Sequence, residues 1–414
     1  RNGITFDAAK VVTGATPIIL LSLIDRSLLT RNSNGRYMIH ELLRQFGQTE
    51  LASNAERKIQ TRAAHADYFA AFLEGLNPDL YADAQLKAGR LIEDDFENIL
   101  LAWRWFVENG DGDGLYRMMD SLHEYCDRSG RCQAGAEVFD RARQSILSKS
   151  GSEEIRLGLR GALSMYEGLL RRRIGVVDQQ SWGDIELLLE DPILHPVHQS
   201  NIFIQVALAQ YYLGRLETAE RLFDEAMKIA TRHANDWALG IVLSERAHVD
   251  EFQGDYRRAE ANFESSIDAF EKVGDQIKLA YSLNNLGRAA YAMGNYAKAE
   301  AVIRAALEIR LRFQDVVGIA FSLLDLAKLY RMLGKYDEAE VYLTEGTTLC
   351  EQSGLADTLA RYHNGWGMLE QVRGRPDLAI DFHKRAQYFY QKEPIHAHLP
   401  QTLNSLAAAE MAVG

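Results

Sequence analysis

Apolar residues recur at three- and four-residue spacing through most of the chain, the period of amphipathic helices. From Asn201 onward this pattern itself repeats. Gly214, Gly254, Gly294, Gly334 and Gly374 stand forty residues apart, with Gly414 the next term. Alanine follows each of the first five by five residues (Ala219, Ala259, Ala299, Ala339, Ala379), and a small residue precedes each by seven (Ala207, Ala247, Gly287, Ala327, Gly367). Bulky residues form two further columns: Phe223, Phe263, Ile303 and Leu343 nine after the glycine, and Leu243, Leu283 and Leu323 eleven before it. Each unit predicts two helices joined by a tight turn at the glycine, with the small residues where the helices cross most closely. One hairpin cannot bury its own apolar face, so neighbours are expected to stack into an α-solenoid.

The same offsets reappear earlier. Gly130, Gly135, Phe139 and Ala142 mark a unit near Cys126 to Lys149, and Ser152 to Glu190 reads as a degenerate hairpin with Gly175 in its turn and Trp182 and Ile185 off the alanine column. Asp191 to Ser200, with Pro192 and Pro196, is predicted as a loop, and the last helix spans His398 to Ala412. Before the repeats the pattern changes. An apolar helix is expected from about Thr16 to Asp25, then extended segments Leu28 to Arg31 and Arg36 to Ile39 joined by Asn32-Ser-Asn-Gly35, then a helix from His40 to about Ala52. That order describes a winged-helix module. The expected division is 1–53 for the module, 54–125 for a helical connector and 126–414 for the repeats.

Composition narrows the function classes. At 414 residues the chain exceeds one compact core, and 47% hydrophobic residues with only seven prolines exclude a disordered or proline-rich chain. The net charge of -12 opposes generic binding to nucleic acid or anionic membrane. Cys126, Cys132 and Cys350 are too sparse for a disulfide framework and suit a reducing, cytoplasmic setting. The longest early apolar run, Pro17 to Ile24, is far short of a bilayer span. The first residue, Arg1, is not methionine, and the chain is expected to begin inside a longer polypeptide.

The segments Gly294-Asn-Tyr-Ala-Lys-Ala-Glu300, Gly254-Asp-Tyr-Arg-Arg-Ala-Glu260 and Gly334-Lys-Tyr-Asp-Glu-Ala-Glu340, with the alanine and bulky columns, resemble the tetratricopeptide repeat. The unit is lengthened from 34 residues to 40. That resemblance implies an all-α, right-handed superhelix. The stretch Leu23 to Ala52 resembles the winged-helix segment of STAND signalling ATPases, which couple an NB-ARC- or NACHT-like ATPase to such repeats. The residues that follow resemble their helical connector. In that family a histidine in a Met-His-Asp motif faces the β-phosphate of ADP; here the corresponding residues are Ile39, His40 and Glu41, with the histidine kept and both neighbours conservatively changed, so the resemblance makes His40 the nucleotide-sensing candidate in the intact protein. A helix cap or a surface position is the plainer reading of the same residue. ADP or ATP with magnesium is implied for an upstream ATPase and no cofactor for this segment, since no GxxxxGK[ST] phosphate loop occurs and Gly334-Lys335 is followed by Tyr336 inside a repeat turn.

Other chemistry yields to plainer readings. Asn109 to Asp120 places oxygen donors at alternate positions like a calcium loop, but lacks the closing bidentate Glu and carries Arg117, so a helix-to-helix turn is preferred. His195 with His198, or His123 with Cys126 and Cys132, lack four zinc ligands. No GxSxG elbow is present, and the cluster Glu93, Asp94, Asp95, Glu97 reads as a solvated helix face. No metal site and no catalytic residue is expected.

What remains is the inner face of the repeats, lined by the first helix of each pair. By period it carries Asn201, Gln205, Ser244, Glu245, His248, Tyr281, Asn284, Asn285, Arg288, Asp325, Lys328, Arg331, Arg361 and Asn364. The Asn284-Asn285-Leu286-Gly287 context resembles peptide-binding tetratricopeptide proteins, in which asparagine amides grip a ligand backbone. Arg288, Lys328 and Arg331 place cations on successive repeats, suited to a carboxylate or phosphate. A peptide, protein or small anionic trigger is the expected partner. The resemblance implies release of an ADP-bound, autoinhibited ATPase, oligomerisation, and activation of an upstream effector in antiphage defence or transcription. The alternatives are a constitutive protein scaffold and, through Arg26, Arg31, Arg36 and Arg44, a winged-helix DNA binder.

Overall fold

The computed structural model describes residues 3–81, 84–147, 153–173, 196–391 and 399–413. It is all-α apart from one small sheet, and its contacts divide it into two compact units: Arg1–Leu80, Ala84–Tyr125 and Val138–Leu163, and Tyr81–Asp83, Cys126–Glu137 and Ser164–Gly414. The expected turn at Gly175, with Trp182, Ile185 and residues 191–195 of the expected loop, lies outside the described residues; residues 196–200 of that loop are instead the first turn of a helix that starts at Pro196, a residue suited to a helix start.

In the first unit, α1 (Phe6–Thr13) and α2 (Pro17–Asp25) start at Thr5 and Thr16, whose hydroxyls accept from Ala8 N and Ile19 N at 3.2 and 3.3 Å. Strands β1 (Leu29–Arg31) and β2 (Tyr37–Ile39) pair antiparallel in the register Leu29↔Ile39, Thr30↔Met38, Arg31↔Tyr37. The Asn32 side chain closes their turn by accepting from Asn34 N and Arg36 N at 3.0 and 2.9 Å, and Gly35 supplies φ +77°. This two-stranded ribbon between helices fits a wing. Then come α3 (Glu41–Ala52), α4 (Ala55–Leu80) and α5 (Gln85–Asn109); α6 (Gly112–Arg128), α7 (Cys132–Leu147) and α8 (Glu153–Arg173) follow and are divided between the units, with 126–137 and 164–173 belonging to the second. Arg36 at the end of the ribbon turn is buried against Asp95 of α5, donating to Oδ2 at 2.9 Å and to Gly3 O at 3.1 Å. Asp95 is therefore no part of a solvated face. Asn109 ends α5 and Gly112 already begins α6, with Asp111 Oδ1 accepting from Gly114 N at 2.9 Å, so the alternating acidic segment is a helix start.

In the second unit the repeats follow as pairs: α9 (Pro196–Tyr212) and α10 (Leu216–Arg232), α11 (Asp236–Phe252) and α12 (Tyr256–Val273), α13 (Gln276–Ala292) and α14 (Tyr296–Phe313), α15 (Val316–Met332) and α16 (Tyr336–Ser353), α17 (Ala356–Val372) and α18 (Pro376–Tyr390), then α19 (Leu399–Val413). The predicted columns are the core. Ala219, Ala259, Ala299, Ala339 and Ala379 are buried, as are Phe223, Phe263, Ile303 and Leu343. Two kinds of glycine do different work. A Cβ on Gly254 would meet nothing within 4 Å, so its φ of +80° is what requires glycine; a Cβ on Gly287 would sit 2.4 Å from Ile303 Cγ1, so there space requires it. After each turn glycine the chain donates back five residues, as in Asp255 N to Asp250 O at 2.9 Å and Asn295 N to Ala290 O at 2.9 Å, which closes the first helix.

Candidate functional site

The inner face of the solenoid is a set of connected polar groups, and each link follows from which residue of a first helix meets which residue of the next. On α11 and α13, His248 Nε2 lies 2.8 Å from Tyr281 Oη and 3.3 Å from Asn285 Nδ2. Arg288 donates to both oxygens of Glu251 at 3.0 and 2.9 Å and to Asn285 Oδ1 at 3.3 Å. Burial alone would raise the Glu251 carboxyl, but hydrogen bonding to His248 and the Arg288 charge outweigh it and hold it below its ordinary value.

A second cluster joins α13, α14 and α15. Asn284 donates to Asp325 Oδ2 at 2.8 Å while its Oδ1 accepts from Ser322 Oγ at 2.8 Å and from Arg310 Nη1 at 3.0 Å. Asp325 also accepts from Lys328 Nζ at 2.9 Å; burial pushes its carboxyl up, and Lys328 and Arg288 bring it below the ordinary value. Arg310 is only 2% exposed, and burial pushes its pKa down to about 10 against the pull of Asp315. Its column neighbours are Ala230, Phe270, Cys350 and Tyr390, so a charge in that apolar column was the sequence signal for this cluster.

The face is also closed by its own chain. Arg172, at the end of α8, donates to Glu245 Oε1 of α11 at 2.7 Å. Arg173 reaches Asp127 at 3.0 Å and lies over the rings of Tyr281 and Phe321 at 5.6 and 6.0 Å. Arg128, just before the α6–α7 turn, donates to Asp275 Oδ2 at 2.9 Å, and Lys278 to Asp127 Oδ2 at 3.2 Å. Burial raises the Glu245 carboxyl, but Arg172 and His248 keep it below its ordinary value. Periodicity could not have revealed these links, because it says nothing of which distant segments meet; Arg172 and Glu245 are 73 residues apart, and Asp127 and Lys278 151.

The fourteen predicted residues therefore separate. Ser244, Glu245, Asn284 and Asn285 are buried, and the asparagine amides are engaged within the fold instead of lying open to a ligand backbone. His248, Tyr281, Arg288 and Asp325 belong to the same networks. Asn201 and Gln205 are half-buried on α9. Lys328, Arg331, Arg361 and Asn364 come together at a cavity of about 260 Å³, to which the sequence reading had not assigned Tyr291, Met368, Tyr390 or Gln401. Arg361 donates through Nε to Asp357 at 3.3 Å and stacks 5.1 Å from the Phe321 ring, and Asn364 Oδ1 meets His383 Nδ1 at 2.7 Å. His40 is elsewhere, in the first unit, as the N-cap of α3: its Nδ1 accepts from Leu42 N at 3.3 Å. Of the arginines offered for DNA, Arg36 is buried on Asp95 and Arg44 is paired with Glu41 at 2.8 Å. Among the described residues no cluster of three metal-ligating side chains occurs.

The tetratricopeptide repeat family model matches 198–272, 238–312 and 278–352. Residues 198–352 are tetratricopeptide repeats. No curated protein matches the sequence. Among solved structures, a signal transduction ATPase with numerous domains and a tetratricopeptide repeat sensor, from Pyrococcus horikoshii, aligns with 99% of this chain at TM-score 0.60 and 17% identity. The chain spans 58% of that protein's length. A Rap protein complexed with competence and sporulation factor aligns over 85% of this chain and 98% of its own at TM-score 0.53 and 14% identity. The Cut9–Hcn1 hetero-tetramer of APC/C aligns over 86% of this chain and 64% of its own at TM-score 0.50 and 15% identity. At these identities the likeness speaks for the fold alone: a tetratricopeptide solenoid.

Proposed function

We propose that this chain is the sensing and autoinhibitory region of a STAND ATPase, whose repeats capture a peptide, protein or small anionic trigger on their inner face. The observation that carries the reading is the cavity lined by Lys328, Arg331, Arg361 and Asn364 on the first helices of two successive repeats. Groups of this kind discriminate between ligands by charge and hydrogen bonding. Trigger capture favours the released state of an upstream nucleotide-bound ATPase, and a preference of about 5.5 kcal/mol moves a 1:99 equilibrium to 99:1. His40 is the residue that would meet the nucleotide: with Nδ1 accepting from Leu42, the neutral ring carries its proton on Nε2, which suits a phosphate oxygen. Magnesium and nucleotide belong to the ATPase, and the effector acts in defence or transcription.

The test uses the longer protein that contains the upstream ATPase. Deleting residues 126–413 is expected to accelerate release of bound ADP and raise basal hydrolysis. Unchanged nucleotide exchange after that deletion would sink the autoinhibitory reading and leave a constitutive scaffold.

A further inference from the structure

The cavity stands out chemically from the rest of the inner face. Arg288 and Lys328 are matched by Glu251 and Asp325, but the Arg331 side chain makes no hydrogen bond or ion pair with any described residue. Three cations line the cavity with no carboxylate among its lining residues, in a chain whose net charge is -12. Asp325 and Asp357, which are not among the lining residues, balance Lys328 and one edge of Arg361, which leaves Arg331 as local positive excess. Much of the remaining lining is apolar: Leu324, Leu343, Met368 and Leu369, with the Tyr291 and Tyr390 rings. Asn364 and Gln401 add amide groups to the lining. At about 30 Å³ per water the volume of about 260 Å³ equals eight or nine waters, just below the roughly 300–1,000 Å³ that enclose whole drug-sized ligands.

We propose that this cavity binds a small organic anion: a carboxylate or phosphate held by Arg331 and Arg361, on an apolar body of about one amino-acid side chain packed against Leu324, Leu343 and Met368. The proposal deepens the sensor reading and rests on it for biological meaning. A free acid and the terminal residue of a peptide share this chemistry. The experiment is calorimetric titration of the chain with N-acetyl-leucine, N-acetyl-phenylalanine, phenyl phosphate and inorganic phosphate, with the two amino-acid amides as neutral controls. Saturable binding of an acid but not of its amide is expected, weakened at least about ten-fold by Arg331→Gln. Arg257→Gln, an exposed residue outside the cavity, should leave affinity unchanged. A hexapeptide ending in leucine, binding more tightly than N-acetyl-leucine, would assign the anion to a peptide end; equal or weaker binding assigns it to a free molecule. No saturable binding by any acid, equal binding of acid and amide, or full affinity in Arg331→Gln overturns the proposal. Arg331-dependent binding with nucleotide exchange indifferent to deletion of 126–413 would keep the cavity and remove the switch.

Discussion

His383 shows how one side chain can couple the cavity to pH. It holds the column position of Phe223, Phe263, Ile303 and Leu343, it is 0% exposed, and burial lowers its pKa from 6.5 to about 4. The ring packs on Gly367, whose added Cβ would lie 2.5 Å from it, and meets Asn364 of the cavity through Nδ1. His363, which continues the Leu243, Leu283, Leu323 column, also has its pKa lowered, by burial and by Arg385. A neutral folded imidazole binds no proton where the unfolded chain does. Stability is thus fully present above about pH 6.5 and lost progressively as pH falls toward about 4. Melting temperature followed across that window should fall, and His383→Phe should flatten the slope. An equally steep slope in the variant would assign it to other groups. The columns made this residue readable; its neutrality was not, because that depends on how completely Gly367 and its neighbours exclude water.

At the scale of helices, the repeat columns were legible because a fixed period exposes which positions cross closely. Gly287→Val should cost about 1–3 kcal/mol through collision with Ile303, read as a lower denaturant midpoint at unchanged slope. A second joint was not legible. The chain turns from one hairpin to the next through positive φ at Ala234, Gly274, Gln314 and Gly354, at 48°, 78°, 57° and 68°. Only two of the four are glycine, so composition concealed the column. Gln314→Gly should stabilise the protein by about 1 kcal/mol by removing a left-handed side chain, measured by the same denaturation. The inner-face residues were placed on the correct helices by period, yet period says nothing about what lies opposite them. Asn284 and Asn285 were therefore read as open when Asp325 and His248 already hold them.

At the scale of the whole molecule, Asp127, Arg128 and Arg172 tie the ends of α6 and α8 to the repeats within the second unit. Arg172→Glu should destabilise by about 2 kcal/mol, below the roughly 3–5 kcal/mol of a fully buried pair, because Arg172 keeps 29% of its side chain exposed. Faster amide exchange in 126–137 and 164–173 is the expected signature, and adding Glu245→Arg should restore protection. Unaltered exchange in the single variant would mean that this pair does not hold the contact. The even spacing of the joints has one more consequence. Asp275 and Asp315 occupy equivalent places, each accepting from the amide three residues on, at 3.0 and 2.9 Å. Excising 276–315 would put Val316 directly after Asp275, so one aspartate takes over the other's duty and the seam is rebuilt from like parts. Removing one whole module would thus keep the helix-start geometry at the joint and leave the register of the remaining repeats intact.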